Sequence, residues 1–128
     1  MSSISELKDS IARGETTARA AVESALAAAE KLNDTLNAFL EIDREGALER
    51  AEAIDASVKS LRKTSGQAPA ASGMPLAGVP VAIKDNICVR GMQTSCGSRI
   101  LGPYHPPYNA TAIERLLNAG AVIIGKTN

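Results

Sequence analysis

The 128 residues are enough for one domain of ordinary size, but 22 of the hydrophobic residues are alanines, beside one Phe, two Tyr and no Trp. Alanine favours helix and buries little area, so a thin, largely helical core is expected. Fourteen basic residues balance 14 acidic ones, which argues against an electrostatic nucleic-acid or membrane surface as the main function. No apolar run approaches the roughly 18 residues of a membrane-spanning helix. The start, Met-Ser-Ser-Ile-Ser-Glu-Leu, lacks the basic and apolar regions of a signal peptide. Cys88 and Cys96 have no His or Cys cluster near them and read as free thiols of a reducing cytoplasm, ahead of a disulfide or a metal site.

Taken in order, Ser3-Ile4-Ser5-Glu6 fits a capping box. It opens a short helix with Ile4, Leu7 and Ile11 on one face, stopped near Gly14. Thr16 or Thr17 caps a longer helix with Ala18, Ala21, Val22, Ala25, Leu26, Ala29 and Leu32 at three- and four-residue steps, ending around Asn33-Asp34. Asn37 to Ile42 reads as a short extended piece. Asp43 caps a third helix whose stripe is Ala47, Leu48, Ala51, Ile54, Val58 and Leu61. Its wet face is Glu45, Glu49, Arg50, Glu52 and Lys59. A helical region 1–63 is thus followed by a Ser-, Gly-, Ala- and Pro-rich linker-like loop, 64–74, and then by a strand–loop–helix–strand region, 75–128.

That last region opens with turn formers (Pro75, Gly78, Pro80) and an apolar strand, Val79–Ile83, which ends in Lys84-Asp85-Asn86. Open α/β sheets place their chemistry just beyond the carboxyl ends of strands, although a lone lysine there is in the first instance a solvated surface group. Arg90-Gly91 forms a turn, and Thr94-Ser95-Cys96-Gly97-Ser98 is a hydroxyl-rich loop. The loop is either a polar turn bonded to its own backbone or the wall of a polar pocket near the lysine. Gly102–Tyr108, with three prolines, lies over the surface or rims a cleft, and leaves its His105 exposed. Asn109 caps a helix over 110–119 that is closed by a left-handed Gly120, and Ala121–Ile124 is a strand expected to pair in parallel with 79–83 through a right-handed crossover. Gly120–Thr127 satisfies G-x-x-x-x-G-K-T, but a helix precedes it and its middle residues are themselves the strand, so it is not read as a phosphate-binding loop.

The residues Leu76-Ala-Gly-Val-Pro-Val-Ala-Ile-Lys-Asp-Asn86, Thr94–Ser98, Tyr108-Asn-Ala-Thr111, Arg115-Leu116 and Gly120–Asn128 closely resemble the amidase signature family. Leu36-Asn-Ala-Phe-Leu40 and the Ala-rich helices around it resemble its tRNA-dependent amidotransferase branch. The resemblance implies an α/β fold, a large mixed sheet covered by helices, of which this chain is the N-terminal portion. It implies a Ser–cis-Ser–Lys catalytic triad in which Lys84 corresponds to the lysine. The bridging and nucleophilic serines match no residue of this chain, Ser95 and Ser98 included, so the 128 residues alone are expected to be inactive.

Further implications are glutamine as substrate, and partner subunits B and C of a heterotrimer. ATP and magnesium act in the partner, none in this chain, and most tRNA contact is left to that partner. An amidase acting on a small free amide, or a non-catalytic remnant, are the rival expectations. A serine nucleophile needs a partner for its proton, and a lysine serves only when neutral. Ile83, Ile87 and a covering Thr94–Ser98 loop are expected to desolvate Lys84. Strands 79–83 and 121–124 are expected to leave open edges and a marginal fold.

Overall fold

The architecture hangs on its last strand. In the computed structural model, which describes residues 3–64, 69 and 73–128, four helices and three strands follow in order. They are α1 (Ile4–Arg13), α2 (Ala18–Leu36), β1 (Phe39–Ile42), α3 (Arg44–Thr64), β2 (Pro80–Lys84), α4 (Thr111–Asn118) and β3 (Val122–Thr127). The sheet order is β1-β3-β2, with β2 parallel and β1 antiparallel to β3. The expectation of open edges on both predicted strands is therefore corrected for β3. The extended piece 39–42, for which the sequence offered no partner, closes one side of it. Of the linker-like stretch 64–74, residues 65–68 and 70–72 lie outside the described residues.

Local chemistry sets the helix ends. The capping box closes as expected: Glu6 N donates to Ser3 Oγ (3.2 Å) and Ser3 N to the Glu6 carboxylate (2.7 Å), while Gly14 takes φ 78° past the C-terminus. Thr17 caps α2, and a carboxylate from α3 adds to it, Asp55 accepting from Ala18 N (2.7 Å) and Arg19 N (3.0 Å). Four N–H groups at a helix start lack partners within the helix, so this contact satisfies α2 while tying it to α3. The α2 helix runs past Asn33-Asp34 to Leu36. The reason is that the Asn33 amide bonds forward to Phe39 N and O (2.7 and 3.0 Å) instead of to its own turn, and Asn37 makes the left-handed exit at φ 48°. Asp43 caps α3 through Gly46 N (2.9 Å). Asn109 does not cap α4. That position is Ala110, while the Asn109 amide accepts from Arg90 N (2.7 Å) and donates to Glu114 (2.8 Å), bracing the loop before the helix.

Ala82 and Lys84 of β2 stay exposed, whereas the central strand β3 is covered on both faces. On one, Ala18, Val22 and Leu26 of α2 and Ala47, Ala51, Ile54 and Val58 of α3 meet Val122 and Ile124. On the other, Ile113 of α4 with Val89 and Met92 meets Ile83 and Ile123. Two apolar stripes are wetter than their spacing implies: Ile4 is 61% and Leu32 51% exposed, since only the far end of α1 and the first half of α2 reach the core. Arg50, expected on the wet face of α3, turns inward and donates to Leu117 O at 2.5 Å. No helix among the described residues is long and apolar enough to cross a membrane.

The glycine of the apparent nucleotide motif has a packing explanation. Gly125 lies within β3, where a Cβ would collide with the Glu41 carbonyl of β1 and come within 2.9 Å of the Phe39 ring. The prediction is that Gly125→Ala destabilises the fold by about 1–3 kcal/mol or more, as forced overpacking does. Urea unfolding would show it, and an unchanged midpoint would contradict the close β1–β3 approach.

Candidate functional site

Lys84 ends β2, opposite Thr127 of β3, with Ile83 opposite Lys126. Successive side chains on a strand point to opposite faces, so the two lysines leave the sheet on opposite sides. Lys84 is exposed, and its side chain makes no hydrogen bond or ion pair among the described residues. The desolvation expected from Ile83, Ile87 and the 94–98 loop is thus not what these residues provide, because that loop closes over the other face. Its lysine is Lys126.

Lys126 is fully buried, at 0% exposure. Its Nζ donates to Ile87 O (2.9 Å), Gln93 O (3.1 Å) and Thr94 Oγ1 (2.9 Å), three acceptors for the three N–H bonds of an ammonium. The Thr94 hydroxyl itself donates to Met92 O (3.4 Å). The buried Asp85 carboxylate lies 3.8 Å from Nζ and accepts from Ser95 N at 3.0 and 3.1 Å and from Ser95 Oγ in a short contact. Ser95 Oγ in turn accepts from Gly97 N (3.3 Å). The network extends to β1, since Gln93 N donates to the Glu41 carboxylate (2.8 Å).

Burial pushes the Asp85 carboxyl up. The Ser95 hydroxyl and N–H, the Lys126 charge and the Gly97 N–H together outweigh it and hold the group below its ordinary value of 3.8. A buried ion pair of this kind is tolerated only when its remaining lone pairs and protons are satisfied, as they are here.

The two readings of the 94–98 loop are both partly met: its hydroxyls do bond locally, and they wall a polar centre. That centre, Lys126 with Asp85, Thr94 and Ser95, was missed from sequence. The available signal was a lysine closing one apolar strand run and an aspartate just beyond the end of another. His105 is exposed, its Nδ1 3.0 Å from Pro103 O. The Cys88 thiol sits 3.8 Å from the Tyr108 hydroxyl, whose pKa is pushed up to about 12 by Cys88 and then Tyr104.

Comparison with known proteins adds independent findings. The family model described as Amidase matches residues 20–128. The glutamyl-tRNA(Gln) amidotransferase A subunit from Lachnospira eligens (strain ATCC 27750 / DSM 3376 / VPI C15-48 / C15-B4) is 50% identical over 123 residues, 96% of this chain and 24% of that protein. Among solved structures, native peptide amidase from Stenotrophomonas maltophilia superposes with TM-score 0.82 at 31% identity, over 99% of this chain and 24% of that one. A vestigial complex described as revealing the origins of an s-triazine catabolic enzyme gives 0.84 at 34%, over 99% and 26%. The chain spans about a quarter of the length of the curated relatives it matches.

The buried pair can be tested from both of its ends. Lys126→Met leaves the Asp85 charge buried and unpaired, and should cost about 3–5 kcal/mol in chemical denaturation; a loss below about 1 kcal/mol would contradict the pairing. Because the Asp85 carboxyl is more acidic folded than unfolded, its contribution is complete above the ordinary value of 3.8 and is lost as pH falls through the folded one. The stability gap between the parent and Asp85→Asn should therefore narrow on acidification below pH about 4. A gap that stays constant through that range would contradict the assignment.

Proposed function

The chain belongs to the amidase signature family, and from that premise we propose that it supplies the lysine-bearing portion of a glutamine-hydrolysing subunit of a tRNA-dependent amidotransferase. One observation carries the chemical part. Lys84 stands at the carboxyl end of a parallel strand with its backbone locked and its amine unpaired among the described residues. The 50% identity to a glutamyl-tRNA(Gln) amidotransferase A subunit supports the branch within the family.

In this reading Lys84 takes a proton from a bridging cis-serine, which relays it from the nucleophilic serine as that oxygen attacks the glutamine side-chain amide. The lysine then returns the proton to the leaving ammonia. Both serines come from outside these 128 residues, and so does the cover that dries Lys84, since the described chain leaves it exposed. The ammonia passes to partner subunits B and C, where ATP and magnesium activate Glu-tRNA(Gln) or Asp-tRNA(Asn) for amidation. A formal charge of zero fits a chain that leaves most tRNA contact to its partner. The likeness to peptide amidase supports a second reading, hydrolysis of a small amide without tRNA.

The test is a chimera in which this chain replaces the matching segment of the Lachnospira eligens protein, co-expressed with that protein's own partners. Glutamine hydrolysis and Glu-tRNA(Gln) amidation should persist in the chimera. Lys84→Ala should then lower hydrolysis by about 10²–10⁴-fold, the scale of a lost general base. Near-parental hydrolysis in Lys84→Ala would remove Lys84 from this role. Turnover of peptide amides without glutamine hydrolysis would favour the second reading.

A further inference from the structure

Building on the role just proposed for Lys84, we infer that Lys126, Thr94 and Asp85 are positioning residues that hold the turn carrying it, through one buried nitrogen shared between two chain segments. The turn runs from Lys84 to Ile87 and is closed by Ile87 N donating to Lys84 O at 3.0 Å. It is then tied down from beneath at two further points. Asp85 N donates to Thr127 O (2.7 Å), which continues the parallel ladder beyond Lys84. Ile87 O accepts from Lys126 Nζ (2.9 Å). The same Nζ takes Gln93 O and Thr94 Oγ1 from the following loop, while Asp85, next to Lys84 in sequence, takes Ser95 N and Oγ from it. The turn and the loop are thereby pinned to each other and to the central strand.

Stability alone does not call for this arrangement. A well-packed apolar residue in place of a buried ion pair is often neutral or stabilising. What an ammonium does, and a leucine does not, is fix two carbonyls and a hydroxyl from separate segments around a single atom at 2.9–3.1 Å. Such directional fixing matters where the position of a neighbouring side chain decides a rate, since a misplacement of about 1 Å can lower turnover by about 10²-fold. The Lys84 side chain has no hydrogen bond or ion pair among the described residues to set its place, so its position is inherited from the backbone beneath it.

Thr94 offers the cleanest perturbation, because valine keeps its shape and removes only the hydroxyl, while serine keeps the hydroxyl and removes the methyl. The same chimera, carrying Thr94→Val, Thr94→Ser, Ser95→Ala or Lys84→Ala, is assayed for kcat and KM of glutamine hydrolysis below its melting temperature. Thr94→Val should lower kcat at least about tenfold, within the range a misplaced group produces, with KM for glutamine held within about twofold. Thr94→Ser should restore most of that kcat. Ser95→Ala, which loosens the Asp85 side of the knot, should lower kcat at unchanged KM to a smaller degree, and it decides the matter if Thr94→Val does not accumulate as folded protein. Parental kcat in the folded Thr94→Val and Ser95→Ala chimeras, or a Thr94→Ser chimera no better than Thr94→Val, would overturn the positioning role. If Lys84→Ala abolishes hydrolysis while those chimeras retain it, only the positioning inference fails. If Lys84→Ala hydrolyses glutamine normally, the proposed role of Lys84 fails and the inference falls with it.

Discussion

The ammonium of Lys126, fully enclosed and filled by Ile87 O, Gln93 O and Thr94 Oγ1 with the Asp85 carboxylate 3.8 Å away, is the constraint around which the second half of the chain closes. Removing a lysine from water is expensive, and the cost is met only if every N–H finds an acceptor and the charge a counter-ion. Here the acceptors come from three places: the turn after β2, the loop from Gln93 to Thr94, and the carboxylate between Lys84 and Asn86. Ile87 packs against the neighbouring apolar cluster, while Asp85, Gln93 and Thr94 contribute polar groups. Their geometry follows from having to converge on one nitrogen.

That nitrogen is held in place by the centre of the sheet. Strand β3 pairs with β2 on one side and β1 on the other, and the two apolar clusters sit on its opposite faces. Gly125 admits the β1 backbone one residue before Lys126 turns inward. Because β2 runs parallel to β3 with Ile83 opposite Lys126, the next residue, Lys84, necessarily leaves by the other face. One lysine is buried and structural in its contacts while its neighbour across the ladder is exposed and unpaired among the described residues. The register shift between Val81 and Ala82, which sets Gly125 and not Ile124 opposite Ala82, together with the two-residue period beyond it produces both outcomes.

Much of this was legible beforehand, for reasons that differ by element. The α1 capping box, the Thr17 and Asp43 caps and the left-handed Gly120 (φ 89°) were readable because they are local: the side chain and its backbone partner lie within a few residues. The parallel β2–β3 unit was readable from a strand–helix–strand order, and its departure from a phosphate loop from the position of the apolar run. The β1–β3 pairing was not, because it joins residues about 85 positions apart through a strand of four residues with no distinctive pattern. The loop at 94–98 was correctly suspected of walling a polar centre but assigned to the wrong lysine. Hydroxyl-rich composition reveals an appetite for polar partners, whereas the side from which they come depends on strand register. Arg50 fails for a related reason: its turn toward Leu117 O is set by where α4 ends, which α3 does not encode.

Whether one buried nitrogen ties the Lys84 turn and the following loop to the central strand is tested most directly by native-state hydrogen exchange. The amides of Asp85, Ile87 and Ser95 donate to Thr127 O, Lys84 O and the Asp85 carboxylate respectively. If the knot holds as described, these three should exchange as slowly as the amides of β3, opening only with the whole fold. Exchange at these three amides as fast as at the exposed Arg99–Leu101 stretch, with β3 still protected, would contradict it.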